Sequence, residues 1–368
     1  MNECLKQAGA GTIKIEFKPD LEKCLERVYA WFEGELIDRP PVRFSRHNAE
    51  YETADNSDRA WASLKDRWFD AEYQVEKFIR EAEGKRFLAE TFPVYWPGLG
   101  PNVFGACYGC PYVFGEVTAW MEPMLEELPA AADLPVFDWN CEYFKKLDEM
   151  TGLALDKAPG RFLVGYTDIH PGMDWCAALR GTEALLMDLY DDPESLRVFC
   201  GASLEDFLKF FDYFDARLKE RRQLSVTWMN IPSFGKLHIP SCDFASMISC
   251  EQFEEYAMPC LEQECLHMDH NIFHLDGKGV ARHLDRILTL PKLNAIQWVQ
   301  GVGEDQPIMQ WVPLVRKIQN AGKGVVVDVA IGELESFIAE VPPRGIYLCI
   351  SAGSPEEEEA VLKRIERW

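Results

Sequence analysis

The feature that most constrains the fold is a repeated alternation of short apolar runs with amphipathic segments, most regular from residue 162 to the C terminus. Short, nearly continuous apolar runs are typical of strands buried on both faces, and apolar residues at helical spacing are typical of amphipathic helices. Alternation of the two predicts a parallel sheet covered by helices. The predicted strands are residues 42–45, 89–96, 162–168, 224–229, 271–275, 293–299, 324–329 and 346–350.

The predicted helices lie before the first strand and between the later ones. They cover residues 21–36, 61–83, 181–190, 193–221, 251–268, 279–289, 309–321 and 331–339, with a last helix that begins at Ser354 and Pro355. Eight strands in this order predict an α/β protein, a (β/α)8 TIM barrel over residues 42–368 with an N-terminal helical extension, residues 1–41. No glycine-rich nucleotide loop follows a predicted strand, which argues against a Rossmann fold.

Residues 98–123 interrupt this regular order with a segment rich in aromatic residues and glycine. We expect a long loop or a small sheet over the barrel mouth. Within it, Cys107 and Cys110 form a C-x-x-C pattern without a second pair. A zinc ribbon needs a second pair and a thioredoxin-like site needs its own strand and helix context, so we interpret this pattern as part of the loop.

Charge and cysteine content restrict the partners and the compartment. The net charge of −23 predicts repulsion of polyanions, so nucleic acid is excluded as a partner. No apolar stretch reaches the roughly 18 residues of a membrane span, and the first residues lack a basic region followed by an apolar run. The 12 cysteines are scattered, which is typical of reduced thiols, so we expect a cytoplasmic protein.

Polar residues cluster where the predicted strands end, and barrel enzymes carry their active sites at the carboxyl ends of the strands. The acidic and histidine side chains at these ends suit proton transfer, and an alternative is a loop held by hydrogen bonds to backbone amides. The catalytic candidates are Asp168, His170, Asp174 and Asp243. The substrate-binding candidates are Arg46, Trp228, Asn230, Trp298, Gln300 and Asp328.

His274 and Asp276 are two residues apart at the end of a predicted strand, so their side chains face the same side. Cys349 lies on the last predicted strand and would complete a set of zinc ligands. Catalytic zinc takes three protein ligands and keeps one open position. The alternative is a hydrogen-bonded pair that fixes the turn at Gly277.

Several segments resemble the uroporphyrinogen-decarboxylase superfamily, and the resemblance extends over most of the chain. They are Asp-Arg-Pro-Pro-Val at 38–42, the run from Asp243 through 248–253 to Pro259, His-Leu-Asp-Gly at 274–277, and residues 345–362. The superfamily contains the decarboxylase and cobalamin-dependent methyltransferases. Where the decarboxylase has the signature M-R-Q-A-G-R, this chain has Phe-Ser-Arg-His-Asn-Ala at 44–49, which keeps one arginine, Arg46.

The methyltransferase branch holds zinc through an H-x-C strand and a later cysteine, and His274, Asp276 and Cys349 stand at those positions. The resemblance implies zinc-assisted transfer of a methyl group between a small methylated molecule, such as a methyl ether, and a corrinoid. This chain has no D-x-H-x-x-G corrinoid module, so the corrinoid would be carried by a partner protein. The assembly could include a homodimer.

Two other functions are compatible with the same residues. One is a decarboxylase that needs no metal and uses Arg46 and Asp168. The other is a barrel that binds a corrinoid or tetrapyrrole without catalysis.

Overall fold

A six-stranded parallel sheet forms the centre of the protein in a computed structural model that describes residues 14–45 and 59–368. The strands are β1 (Val42–Ser45), β2 (Val94–Tyr95), β3 (Tyr112–Phe114), β4 (Ala119–Met121), β5 (Leu163–Val164), β6 (Leu237–His238), β7 (His270–Asp276), β8 (Leu293–Val299), β9 (Gly324–Asp328) and β10 (Ile346–Ser351). The sheet has the order β1-β10-β9-β8-β7-β6, and every neighbouring pair is parallel. This confirms the predicted α/β class.

Two smaller sheets accompany the main one. β2 and β5 form a parallel pair, and β3 and β4 form an antiparallel pair within the segment for which a loop or small sheet was predicted. Backbone hydrogen bonds link β1 to the segment before β2, and link the segment after β5 to the loop before β6. The Glu90 amide donates to the Val42 carbonyl at 2.9 Å, and the Tyr166 amide donates to the Val226 carbonyl at 2.9 Å.

Helices cover the sheet and connect its strands. They are Leu21–Phe32, Leu64–Phe69, Ala71–Glu83, Val103–Ala106, Glu142–Lys157, Gly172–Arg180, Thr182–Asp191, Pro193–Gly201, Leu204–Glu220, Cys250–Gln252, Met258–His267, Gly277–Ala281, Leu284–Ile287, Val312–Asn320, Leu334–Glu340 and Pro355–Ile365. A π-helical turn, Phe253–Ala257, joins two of these helices, and 3₁₀ turns lie at Asp243–Met247, Gly303–Asp305 and Ile308–Trp311. Across residues 14–45 and 59–368, every helix is too short or too polar to cross a bilayer.

The prediction of a strand at residues 224–229 is wrong. The chain turns there, because the Asn230 amide donates to the Thr227 carbonyl at 2.8 Å and Asn230 has a φ of 57°. It then runs back, with hydrogen bonds between Ser225 and Ser233, and β6 takes the place beside β7. Asparagine tolerates the left-handed region better than most residues, which makes the reversal possible at this position.

Some predicted helices are divided into two helices. The predicted helix 61–83 is broken at Asp70, whose carboxylate accepts from the Tyr73 amide at 2.9 Å. The predicted helix 193–221 ends at Gly201 and a new helix begins at Leu204. The short helix Val103–Ala106 and the longer helices Glu142–Lys157 and Gly172–Arg180 were not predicted, and the last contains Asp174 in its first turn.

The N-terminal helix Leu21–Phe32 packs against the start of the sheet. Trp31 is buried, its ring centroid lies 5.3 Å from that of Tyr347, and its indole N–H donates to the Gly345 carbonyl at 2.9 Å. A β-carbon at Gly324 would come within 2.9 Å of the Trp31 ring, so this strand residue must be glycine to admit the indole.

A buried ion cluster joins the same helix to β1. Glu90 is fully buried and accepts from Arg27 at 3.1 Å, from Arg39 at 2.7 Å and from the Val42 amide at 2.9 Å. Asp38 pairs with Arg27 at 2.6 Å. The cluster therefore balances its charges and connects the N-terminal helix, β1 and the segment before β2.

Candidate active site

Two adjoining cavities of about 490 and 570 Å³ lie near the carboxyl end of β7. They share four lining residues and therefore form one cleft. The shared residues are Pro101, Asp168, Trp228 and His274. One half of this cleft is acidic, and the other half carries aromatic side chains. The aromatic side is lined by Trp68, Tyr95, Trp96 and Trp228.

Asp168 and His170 follow β5 and form a close pair in the acidic half. The Oδ1 atom of Asp168 lies 2.9 Å from Nε2 of His170. Burial lowers the pKa of His170, but the Asp168 carboxylate outweighs it and raises this pKa to about 9. Burial raises the pKa of Asp168, and the charge and hydrogen bond of His170 bring it below its usual value. The pair is therefore ionised at neutral pH.

Asp174 lines the cleft from the first turn of the helix Gly172–Arg180. Its two carboxylate oxygens accept from the backbone amides of Asp243 and Phe244, each at 3.0 Å. Burial and the nearby Asp243 charge raise the pKa of Asp174. Asp174 thus fixes the 3₁₀ turn Asp243–Met247 at the edge of the cleft.

Asp243, His274 and Asp276 come together as a group that could hold a metal ion. One potential ligand atom from each residue lies within 4.8 Å of the others. The Gln297 amide oxygen lies 2.7 Å from Nδ1 of His274, which makes Nδ1 the protonated nitrogen and leaves Nε2 as the ligand atom. Such an outer hydrogen bond is typical of metal-binding histidines, so the donor set fits a divalent cation such as zinc.

Cys349 lies beside Arg43 and not with this group. The two residues are register partners on β10 and β1, and their side chains are hydrogen-bonded. Burial raises the pKa of Cys349 to about 11, although the Arg43 charge acts against this. Among the described His, Cys, Asp and Glu residues, the third member of the group is therefore Asp243, which the sequence placed among the catalytic candidates.

The substrate-binding candidates are distributed over several places. Trp228 lines both cavities, and its ring meets that of His274 edge-on at 5.4 Å. Asn230 lines a separate cavity of about 320 Å³ together with Arg43. Arg46 lies outside the described residues.

The three remaining candidates lie away from these contacts, Trp298 within β8, Gln300 just after it and Asp328 at the end of β9. Trp298 is buried and its ring packs against Trp311 at 4.9 Å. Gln300 donates to the Asp328 backbone carbonyl at 3.2 Å. Side chains alternate along a strand, so Gln297 faces His274 and Trp298 faces the opposite side.

A buried pair behind His170 was not among the candidates. His238 and Glu264 are both almost fully buried, with 3.2 Å between Nε2 and Oε2. Burial lowers the pKa of His238 to about 3 and raises that of Glu264 to about 8. The pair is therefore neutral at pH 7, and the His238 ring lies 6.2 Å from the His170 ring. The two partners are 26 positions apart in the sequence, so no local pattern indicated that they pair.

The charged residues that line the cleft are mainly acidic. Its acidic half is lined by Asp168, Asp174 and Asp243, with His170 and His274 between them. The described part of the chain contributes no lysine or arginine to this lining. The arrangement suits a small ligand with an apolar body that is engaged by a bound cation or by the imidazolium of His170.

Comparison with solved structures gives a match to a methyltransferase from Methanosarcina mazei. The TM-score is 0.61 at 12% sequence identity, and the match covers 96% of this chain and 99% of the other. At this identity the two proteins share a fold. No protein-family model matches the sequence. A comparison with curated proteins also gave no match.

Proposed function

We propose that this protein is a zinc-assisted methyltransferase of the uroporphyrinogen-decarboxylase superfamily. It moves a methyl group from a small methylated substrate, such as a methyl ether, to a corrinoid carried by a partner protein. The observation that carries the proposal is the convergence of Asp243, His274 and Asp276 at a cleft with an aromatic wall. The fold shared with a methyltransferase supports it.

The proposal includes a closed (β/α)8 barrel. In such a barrel the six-stranded sheet would supply most of the wall, and the β2–β5 pair would fill the space between the edges of that sheet. The supporting contacts are the hydrogen bonds from Glu90 to Val42 on one side and from Tyr166 to Val226 on the other. In such a barrel the cleft would lie at the carboxyl ends of the strands, where barrel enzymes carry out their chemistry.

Asp243, His274 and Asp276 would hold the zinc ion, with Gln297 orienting the imidazole. When bound, zinc supplies Lewis acidity toward a substrate oxygen. His170 then has a separate task. Its imidazolium form, maintained by Asp168, can donate a proton to the oxygen that loses its methyl group. The aromatic side of the cleft excludes water and packs against the apolar body of the substrate.

The acidic lining argues against a decarboxylase of anionic substrates. A porphyrinogen carries several carboxylates, and these would face Asp168, Asp174 and Asp243 without a described lysine or arginine to pair with. The proposed substrate is therefore a small neutral molecule. The proposed partner is a corrinoid protein. A homodimer and the division at residue 42 into extension and barrel stay predictions.

The metal set is tested by elemental analysis of the full chain after zinc loading, with matched alanine variants. We expect the wild type and Cys349→Ala to bind one equivalent of zinc, and Asp243→Ala and His274→Ala to lose it. Gln297→Ala should keep the ligands but weaken zinc binding by about 10- to 100-fold, since the imidazole loses its orienting partner.

Two results would contradict this assignment. Loss of zinc in Cys349→Ala with retention in Asp243→Ala would restore Cys349 as the third ligand. Absence of zinc from every sample would return His274 and Asp276 to a structural or acid–base role.

The corrinoid partner is tested separately. Methyl transfer that proceeds without any corrinoid protein would reject the proposed partner.

A further inference from the structure

The 3₁₀ turn Asp243–Met247 carries one of the three residues of the metal group, and its first backbone amides are bound by a carboxylate. Asp174 accepts from the Asp243 and Phe244 amides, each at 3.0 Å. The first amides of a helical turn lack partners within the turn, and they form the positive end of its dipole. A carboxylate therefore holds this end of the turn in place.

Arg282 and His283 bind the other end of the same turn. Nη2 of Arg282 donates to the Ala245 carbonyl at 3.2 Å and to the Ser246 carbonyl at 2.5 Å, and Nε2 of His283 lies 2.9 Å from the Ala245 carbonyl oxygen. The last carbonyls of a helical turn form the negative end of its dipole, where a cation is favourable. The turn thus has a carboxylate at its first amides and a guanidinium at its last carbonyls.

Arg282 belongs to the segment that follows the other two residues of the metal group. The helix Gly277–Ala281 begins directly after Asp276, and Arg282 is the C-cap of this helix. The helix packs closely against the turn, since a β-carbon at Gly279 would lie 2.9 Å from the β-carbon of Ser246. One short helix therefore separates Asp276 from the side chain that holds the turn.

The Asp243 side chain is exposed, so its position depends on the turn that carries it. Ser241 donates to its Oδ1 atom at 3.1 Å. A ligand that is mobile before the metal binds must be ordered on binding, and the lost conformational entropy weakens affinity. Groups that hold a ligand in place commonly strengthen metal binding by about 10- to 100-fold.

We propose that Arg282 is a positioning residue of the metal group, which acts with Asp174 on opposite ends of one turn to hold the Asp243 carboxylate beside His274 and Asp276. The inference rests on the metal assignment of the proposed function. The hydrogen bonds of Arg282 to the turn go to backbone carbonyls, so its effect on the metal passes through the backbone.

The first test measures the zinc dissociation constant of the full chain by competition with a chromophoric chelator. Arg282→Gln removes the guanidinium and should weaken zinc binding by about 10-fold. Arg282→Lys keeps the charge on a single donor group and should recover part of this loss. The matched control is Arg286→Gln in the next helix, Leu284–Ile287. Arg286 pairs with Glu254 and Glu262, so this variant should bind zinc like the wild type.

Amide hydrogen exchange of the zinc-free protein, followed by mass spectrometry, measures the mobility of the turn without any metal. We expect the peptide that contains residues 243–247 to exchange faster in Arg282→Gln and in Asp174→Asn than in the wild type, while peptides from β7 exchange at the wild-type rate. If Arg282→Gln does not fold, Arg282→Lys carries both measurements, with smaller changes in the same directions.

The failure of this inference is distinguishable from the failure of the proposed function. Wild-type zinc affinity and wild-type exchange of the turn in Arg282→Gln, together with loss of zinc in Asp243→Ala, would overturn the role of Arg282 and leave the metal assignment intact. Absence of zinc from the wild type, or its retention in both Asp243→Ala and His274→Ala, would overturn the metal assignment and this inference with it.

Discussion

The charge on His170 results from two opposing effects, burial of the imidazole and a carboxylate at 2.9 Å. The carboxylate dominates, so the imidazolium persists through neutral pH. The raised pKa also contributes to stability. That contribution is complete below the usual value of 6.5 and is lost as the pH rises through about 9.

Asp168→Asn should lower the pKa of His170, because the carboxylate that stabilises the imidazolium is removed. Without the carboxylate, burial is opposed by the weaker effects of the Asp174 and Glu264 charges, so the pKa of His170 should fall from about 9, as measured by NMR titration of the ring. The difference in unfolding free energy between wild type and variant should shrink as the pH rises from 6.5 to 9. Asp212→Asn is the control, since Asp212 pairs with the distant His267. An unchanged His170 titration in Asp168→Asn would contradict the assignment.

Part of the site could be predicted from the sequence, because polar residues at the ends of apolar strands are easily recognised. Asp168, His170, Trp228 and His274 were found in this way, and they do line one cleft. Gln297 carried a similar signal as a polar residue inside an apolar strand. His238 and Glu264 carried none, because their pairing depends on how a strand and a helix distant in sequence pack together.

At the scale of elements, the buried cluster around Glu90 determines how β1 meets the segment before β2. The Glu90 carboxylate is fully buried and accepts hydrogen bonds from two guanidinium groups and the Val42 amide. Removing its charge would leave two buried cations with a single counter-ion, Asp38.

Glu90→Gln should therefore destabilise the protein by about 3–5 kcal/mol, measured by chemical denaturation. The matched control is Glu359→Gln, which breaks the exposed pair with Arg86 and should change stability by less than about 1 kcal/mol. Equal losses of unfolding free energy in the two variants would show that the buried cluster around Glu90 does not stabilise the fold.

Strand prediction succeeded where apolar runs are uninterrupted and failed where polar groups redirect the chain. Val42–Ser45 and Leu293–Val299 are confirmed residue for residue. The segments 89–96 and 162–168 contain only the two-residue strands β2 and β5. The turn at Asn230 was missed because residues 224–229 have the composition of a strand, although the hydrogen bonds that close the turn are local, from Asn230 to Thr227 and between Ser225 and Ser233.

At the scale of the whole molecule, the N-terminal helix is part of the core. Trp31 inserts between β9 and β10, contacting Gly324 and Tyr347. The predicted extension is therefore integrated with the sheet through the same helix that supplies Arg27 to the ion cluster.

Trp31→Ala should lower the unfolding free energy by about 3–5 kcal/mol, because a buried indole and its hydrogen bond to Gly345 are lost. Thermal and chemical denaturation measure the change. Trp120→Ala, at a half-exposed indole, is the control and should have a much smaller effect. If both variants unfold alike, the helix does not contribute to the core as described.

The one-sided charge of the cleft makes its entrance an electrostatic filter. A dissolved anion approaches a protein of net charge −23 and then meets three aspartates in the lining, so its local concentration is reduced before any contact forms. Neutral and cationic molecules are not penalised in this way, and cations are also attracted to the faces of the aromatic wall. Selection among metabolites would thus begin with the sign of their charge and only then with their shape.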